Sequence, residues 1–216
     1  MIGYGEDALT LWALKYRLKE ILTELGDESS PSDCTVFYRP SFGRGGKDTA
    51  NFGEFDAIVS TNESVFLIES KWEGSARLPK SIRLSEAQQN RHAIFKEYFD
   101  KWDAAVGIQS LTASSSGFLT SIKDKKVASE KDELAEHLRF VISRTTRKSH
   151  GRARKNLQNV LLFLHRRDGH PRPSLTPSNF GRVIPIRCPR SISSIDGSWF
   201  FEMEPIPDTS GQELNW

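Results

Sequence analysis

The sequence predicts an α/β protein with a mixed central β-sheet flanked by helices. An amphipathic segment over residues 6–25 and a second periodic segment ending near Trp102 have the spacing of helices. Between them lie three β-rich runs, and a short apolar run at 159–165 has the character of a buried strand. Helices and strands that alternate in this way are typical of a sheet covered on both faces.

The first helix is predicted from apolar residues that recur at helical spacing, with charged residues between them. Gly26 and Asp27 mark its end. Its apolar positions are Leu11, Leu14, Leu18, Ile21, Leu22 and Leu25.

Three strands are expected next, over 34–38, 52–60 and 65–72. The first is closed by Pro40, and the glycine-rich stretch 43–53 is expected to be a flexible loop. The polar residues 61–64 separate the other two strands and predict a hairpin connection.

The second helix is predicted to begin at a capping box formed by Ser85 and Gln88. A charged stretch at 123–138 is expected to be helical, and Pro185 places a strand at 183–187 on a sheet edge. We expect one domain over 1–204, with its catalytic core at 1–103 and 159–188, and a flexible tail at 205–216.

Composition narrows the class of protein. The chain has 216 residues, 37% hydrophobic and 27% charged, which is typical of a soluble globular domain. Its longest aliphatic and aromatic stretch, 160–164, is far shorter than the roughly 20 residues of a membrane span, and no signal peptide is recognisable. Cys34 and Cys188 are too few for a disulfide framework, so a reduced, cytoplasmic setting is expected. The five histidines have no zinc-like spacing and are expected on the surface or in loops.

Net charge is only +2, but positive residues cluster between 139 and 167, a stretch without acidic residues. Such clustering is typical of a surface that binds nucleic-acid phosphates, and a solvated basic loop is the alternative, so both readings stay open. The segment 139–158 is expected to be partly loop-like. Its proposed phosphate-binding residues are Arg144, Arg147, Lys148, Arg152, Arg154 and Lys155.

The predicted hairpin brings charged residues together. If Asn62 and Glu63 form its tip, paired residue numbers sum to 125, which places Asp56 opposite Glu69 and Glu54 opposite Lys71. Because side chains alternate, Glu69 and Lys71 share one face of their strand, whose apolar residues mark it as central and covered.

Two opposed carboxylates repel each other, and burial makes their ionisation still costlier. A cation is therefore expected between them. Lys71 can supply one positive charge, but Mg²⁺, which takes one or two carboxylates together with water and phosphate oxygens, neutralises the pair better. The structural alternative is a Glu–Lys salt bridge on a solvated strand face.

At these residues the sequence resembles the PD-(D/E)XK nuclease superfamily, which has the restriction-endonuclease-like fold. Asp56 matches the isolated acidic residue of that family, and Glu69-Ser70-Lys71 matches its Glu-x-Lys motif, although Phe55 stands where the family has proline. Glu6 matches an acidic residue of the first helix. Gln88 matches a glutamine of the later helix, with Gln89 as a weaker match.

The resemblance implies a Mg²⁺-dependent nuclease, with Mn²⁺ as a possible substitute, acting on double-stranded DNA as a homodimer in restriction, defence or recombination. It implies catalytic roles for Asp56, Glu69, Lys71 and Gln88. The metal ligands would be Asp56, Glu69, the carbonyl of Ser70 and Glu6. The main alternative is a nucleic-acid-binding module with the same fold that does not cleave, and a purely structural protein is a third.

Overall fold

The computed structural model describes most of the regions that carry the predicted elements. The described residues are 2–41, 54–73, 82–101, 133–146, 155–166, 180–188, 192–195 and 198–202. The glycine-rich stretch 43–53, most of the predicted helix at 123–138 and the tail 205–216 therefore lie outside them.

The elements alternate between helices and strands in the way the sequence predicts. The helices are α1 (Gly5–Tyr16), α2 (Leu18–Leu25), α3 (Glu86–Lys101) and α4 (Glu133–Thr146), with a 3₁₀ turn at Pro31–Asp33. The strands are β1 (Ile2–Tyr4), β2 (Thr35–Tyr38), β3 (Ala57–Ser60), β4 (Ser64–Trp72), β5 (Asn156–His165), β6 (Arg182–Arg187), β7 (Ile192–Ile195) and β8 (Ser198–Glu202).

The main sheet has five strands in the order β2-β3-β4-β5-β6. Strands β2, β3 and β4 are antiparallel neighbours, whereas β4, β5 and β6 run parallel. This confirms a mixed central sheet. Pro185 lies in the edge strand β6, as predicted, where the N–H that proline lacks is not needed by an outer neighbour.

Helices cover both faces of this sheet. On one face, α1 and α2 pack on Phe66, Ile68 and Trp72 of β4. On the other, α3 and α4 pack on Val65 and Leu67. Strand β4 is consequently buried on both faces, as the continuous apolar run predicted.

The hairpin register is confirmed. Ala57 pairs with Ile68 and Ser60 with Val65, so the numbers of each pair sum to 125. The predicted strand 52–60 is too long, however, because β3 begins only at Ala57. The N–H of Phe55 donates to the carbonyl of Pro40 at 3.3 Å, so the chain before Ala57 bonds toward β2. The end of β4 therefore pairs with β5 but not with β3.

The predicted single helix at 6–25 is in fact two helices. Arg17 leaves helical geometry at φ −122° and ψ 14°, and its side chain forms an ion pair with Glu20 in the first turn of α2. Gly26 ends α2 in the left-handed conformation at φ 72°, where a side chain would be strained.

A second sheet of three strands, in the order β1-β8-β7, has no counterpart in the sequence-based prediction. It joins the start of the chain to its last described strands through antiparallel pairing of β1 with β8. None of the helices in the described ranges has the length and apolar character needed to cross a membrane.

Candidate active site

The candidate site lies at the carboxyl end of β4, where Glu69, Ser70 and Lys71 follow the buried apolar half of the strand. Glu69 is only 2% exposed, and Lys71 is partly exposed. Because β3 begins at Ala57, the backbone of β4 beyond Ile68 does not pair with β3. Side chains from other segments therefore accept the backbone N–H groups at this end of β4.

Asp56 occupies the position that β3 leaves open. By register, the N–H of Ser70 would face residue 55, but it donates instead to Oδ2 of Asp56 at 2.6 Å. In an antiparallel strand the N–H and C=O of one residue point to the same side, so the carbonyl of Ser70 also points toward Asp56. A carboxylate and a backbone carbonyl thus share this edge.

The pKa of Asp56 is raised from 3.8 to about 6. Burial is the main cause, and the negative charge of nearby Glu69 adds to it. This is the expected result of placing two carboxyl groups together away from water. The repulsion predicted from the hairpin register is therefore present, and Asp56 bears most of it.

The pKa of Glu69 is lowered, because side chains of helix α3 donate hydrogen bonds to its carboxylate. Its Oε2 accepts from the amide of Gln88 at 2.7 Å. Its Oε1 faces Nη2 of Arg91 at 2.5 Å and Nε2 of His92 at 2.9 Å. Burial alone would raise the pKa of Glu69, but the hydrogen bond from His92 and the charge of Arg91 lower it. Glu69 is thus held as an anion.

Gln88 caps helix α3 and also contacts Glu69. Its backbone N–H donates to Oγ of Ser85, and its Oε1 accepts from the N–H of Ser85 at 2.9 Å, which forms the predicted capping box. The NH2 group of the same side-chain amide donates to Oε2 of Glu69. The cap that begins α3 therefore also orients Gln88 toward the site. Gln89 does not reach Glu69, because its amide donates to the carbonyl of Leu84.

His92 is buried, which contradicts the expectation that every histidine is on the surface or in a loop. Its ring lies between Oε1 of Glu69 and Oδ1 of Asn159 on β5, 2.8 Å from the latter. Phe55 packs against this ring at 5.0 Å and lies beneath the guanidinium of Arg91. Sequence reasoning missed Arg91 and His92. Their helical spacing from Gln88 was the available signal, since residues three or four apart share a helix face.

Glu6, in the first turn of α1, reaches the same strand end. Its Oε1 lies 3.1 Å from Nζ of Lys71, and its Oε2 accepts from the N–H of Trp72 at 2.8 Å. An acidic side chain is also favourable at a helix N-terminus. The predicted pairing of Glu54 with Lys71 is wrong, because Glu54 instead forms an ion pair with Arg39. Lys71 is thereby held by the first helix.

The structure places only two of the proposed phosphate-binding residues. Arg144 lies in α4 with its guanidinium 5.3 Å from the ring centre of Phe140. Lys155 is half-buried, donates to Oγ of Ser60 at 2.9 Å and precedes Asn156, which pairs with Ser64. It therefore lies at the start of β4, roughly 17 Å of strand from Glu69. Arg147, Lys148, Arg152 and Arg154 lie outside the described residues.

Asp56 is the carboxylate at this strand end that could take part in holding a hard divalent cation. Within the described residues, no three or more His, Cys, Asp or Glu side chains are arranged to hold a metal ion. Mg²⁺ requires only one or two carboxylates with water and substrate oxygens. Glu6 is bonded to Lys71 and Glu69 to Arg91, whereas among the described side chains no cation donates to Asp56.

The arrangement places a carboxylate next to a positioned ammonium group at the end of β4. It brings together six residues that the sequence singled out: Glu6, Asp56, Glu69, Ser70, Lys71 and Gln88. Comparison of the chain with protein-family models, curated proteins and solved structures finds no match to any of them.

Proposed function

We propose that the chain is a Mg²⁺-dependent nuclease that hydrolyses phosphodiester bonds, most plausibly in DNA, and that it belongs with the PD-(D/E)XK nucleases it resembles. The order of elements supports this proposal: the helices α1 and α2, three antiparallel strands, the helices α3 and α4, and then β5, which runs parallel to β4. A role in restriction, defence or recombination, and a homodimer that cuts both strands of a duplex, belong to the same proposal.

The environment of Asp56 is the main support for this proposal. Asp56 is partly buried beside Glu69 and accepts the backbone N–H of Ser70, and no cationic side chain among the described residues donates to it. Its pKa of about 6 means that it is ionised near neutral pH at a cost in stability. A protein that needed only a folded core would avoid such a group, because the N–H of Ser70 and the nearby charge of Lys71 offset only part of the cost of removing this carboxylate from water.

Each residue of the site has a role in this proposal. Asp56, Glu69 and the carbonyl of Ser70 would hold Mg²⁺ or Mn²⁺, which supplies a water of lowered pKa and stabilises charge on the scissile phosphate. Lys71 orients the attacking water for in-line displacement and donates a hydrogen bond to it. Glu6 holds the ammonium of Lys71 in place, and Gln88 fixes the carboxylate of Glu69.

The test is cleavage of supercoiled, linear duplex and single-stranded DNA with Mg²⁺ or Mn²⁺. Asp56→Ala and Lys71→Ala should each abolish cleavage. Lys96→Ala and Asp100→Ala are the matched controls, since they remove the same residue types from an exposed ion pair on α3. Both controls should retain the wild-type rate. Cleavage that persists in both site variants would show that the catalytic site lies elsewhere.

A nucleic-acid-binding module that does not cleave is the second candidate. It is favoured by the state of Glu69, whose two oxygens are already satisfied by Gln88, Arg91 and His92. For Glu69 to bind a metal, at least one of these donors must be released. This candidate predicts salt-dependent DNA binding with no turnover in any divalent metal, and no change of affinity in Lys71→Ala.

A further inference from the structure

A groove of about 690 Å³ runs along the outer strand β2, one strand away from the candidate site. Its floor includes Phe37, and Phe140 of α4 forms its wall. Arg39 and Glu54 line the end nearest the site. The N–H of Arg39 donates to the carbonyl of Asp56 at 3.1 Å, so this end of the groove lies next to the backbone of Asp56.

This groove exposes more apolar surface than the fold requires. Of the three large hydrophobic residues that are exposed in the described ranges, Val36 at 36% and Phe140 at 53% both line it. Leu11, on α1, is the third. An exposed aromatic ring next to a second apolar side chain in a concave surface makes this groove a candidate binding site.

The chemistry beside Phe140 is cationic and aromatic. His137, Phe140 and Arg144 lie at helical spacing on one face of α4. The ring of Phe140 meets Phe37 edge to face at 6.2 Å, and the guanidinium of Arg144 lies over it. In sequence, Arg147 and Lys148 follow directly after this helix. Aromatic rings interleaved with arginine are what unpaired nucleobases and their phosphates bind.

We propose that this groove binds unpaired nucleotides of single-stranded DNA or RNA and leads the strand to Asp56. A base stacks on Phe140, which displaces Arg144 from the ring and lets its guanidinium pair with the adjacent phosphate. Because only β3 separates β2 from β4 and neighbouring strands lie about 5 Å apart, the end of β4 is about 10 Å from β2, and the next nucleotides extend toward it. The inference rests on the proposed nuclease function and assigns it a substrate with an unpaired segment.

The test measures binding without cleavage, by fluorescence anisotropy in EDTA with labelled oligo(dT), oligo(U) and a DNA duplex. Phe140→Ala should weaken binding of the preferred single strand by about 5- to 150-fold, the range expected for loss of one stacked base. Phe140→Trp should restore it. Leu11→Ala is the matched control, because it removes another exposed apolar side chain, and should leave affinity unchanged. The two single-stranded probes distinguish DNA from RNA.

Two results would overturn the inference. One is single-strand affinity that is equal in the wild type, Phe140→Ala and Phe140→Trp. The other is a wild-type dimer, seen by sedimentation velocity, that dissociates in Phe140→Ala, which would assign the groove to a second copy of the chain. Because these assays contain no divalent metal, failure of the groove is distinguishable from failure of the nuclease proposal, which the cleavage of Asp56→Ala and Lys71→Ala decides.

Discussion

Replacing Asp56 with asparagine should stabilise the folded protein at alkaline pH. Asparagine has the same shape and its Oδ1 can still accept the N–H of Ser70, but it carries no charge whose removal from water would be costly. The folded protein holds the proton of Asp56 more tightly than the unfolded chain does, because the pKa is about 6 in the fold and 3.8 in the reference state. The stability that this proton provides is present below pH 3.8 and lost as the pH rises through about 6.

The size of the effect follows from the two pKa values. At about 1.4 kcal/mol for each pKa unit, full ionisation of Asp56 costs about 3 kcal/mol of unfolding free energy. Asp56→Asn should therefore be more stable than the wild type by up to about 3 kcal/mol near pH 8, and by only about 1 kcal/mol near pH 4.5. Comparison of the two proteins at each pH cancels the titration of the other groups they share.

Urea unfolding of both proteins at the two pH values measures this difference. Asp100→Asn, at an exposed carboxylate of α3, is the matched control and should change stability by less than about 0.5 kcal/mol at either pH. A variant that is less stable than the wild type near pH 8, or a gain that is the same at both pH values, would refute the assignment of a strained, ionised carboxylate at this position.

Two further predictions concern the surroundings of Glu69. Arg91→Met should lower unfolding free energy by about 3–5 kcal/mol, because it leaves a buried carboxylate without its main counter-charge. Lys96→Met, which breaks an exposed pair, should cost less than about 1 kcal/mol, and equal losses in urea unfolding would contradict this reasoning. Ser85→Ala should cost about 1 kcal/mol through loss of the N-cap of α3. Full stability of Ser85→Ala in thermal unfolding would show that the capping box contributes nothing.

Local patterns in the sequence were sufficient to predict the features that depend on residues close together in the chain. The capping box at Ser85, the end of α2 at Gly26 and the hairpin register each rest on residues a few positions apart. The register in turn predicted that Asp56 and Glu69 lie next to each other, because the alternation of side chains in a strand leaves little freedom once the turn is fixed.

Contacts between distant segments could not be predicted in this way. The sequence implied a cation beside Glu69 and offered Lys71 or a metal ion, but the structure places Arg91 and His92 there and turns Lys71 to Glu6. Lys155 belongs to the basic run in sequence, yet it bonds Ser60 at the far end of the sheet. Charge clustered along a chain does not define a surface until the chain is folded.

The sequence by itself determined the helical segments at 6–25 and 85–102, the strands of the main sheet and the pairing of the hairpin, because these follow from periodicity, turn residues and caps within short stretches of chain. Only the tertiary structure decided which side chains neutralise one another, where β3 begins and which residues line the groove along β2. Those features depend on how α1, α3 and α4 pack against the sheet, and packing joins residues that are far apart in the sequence.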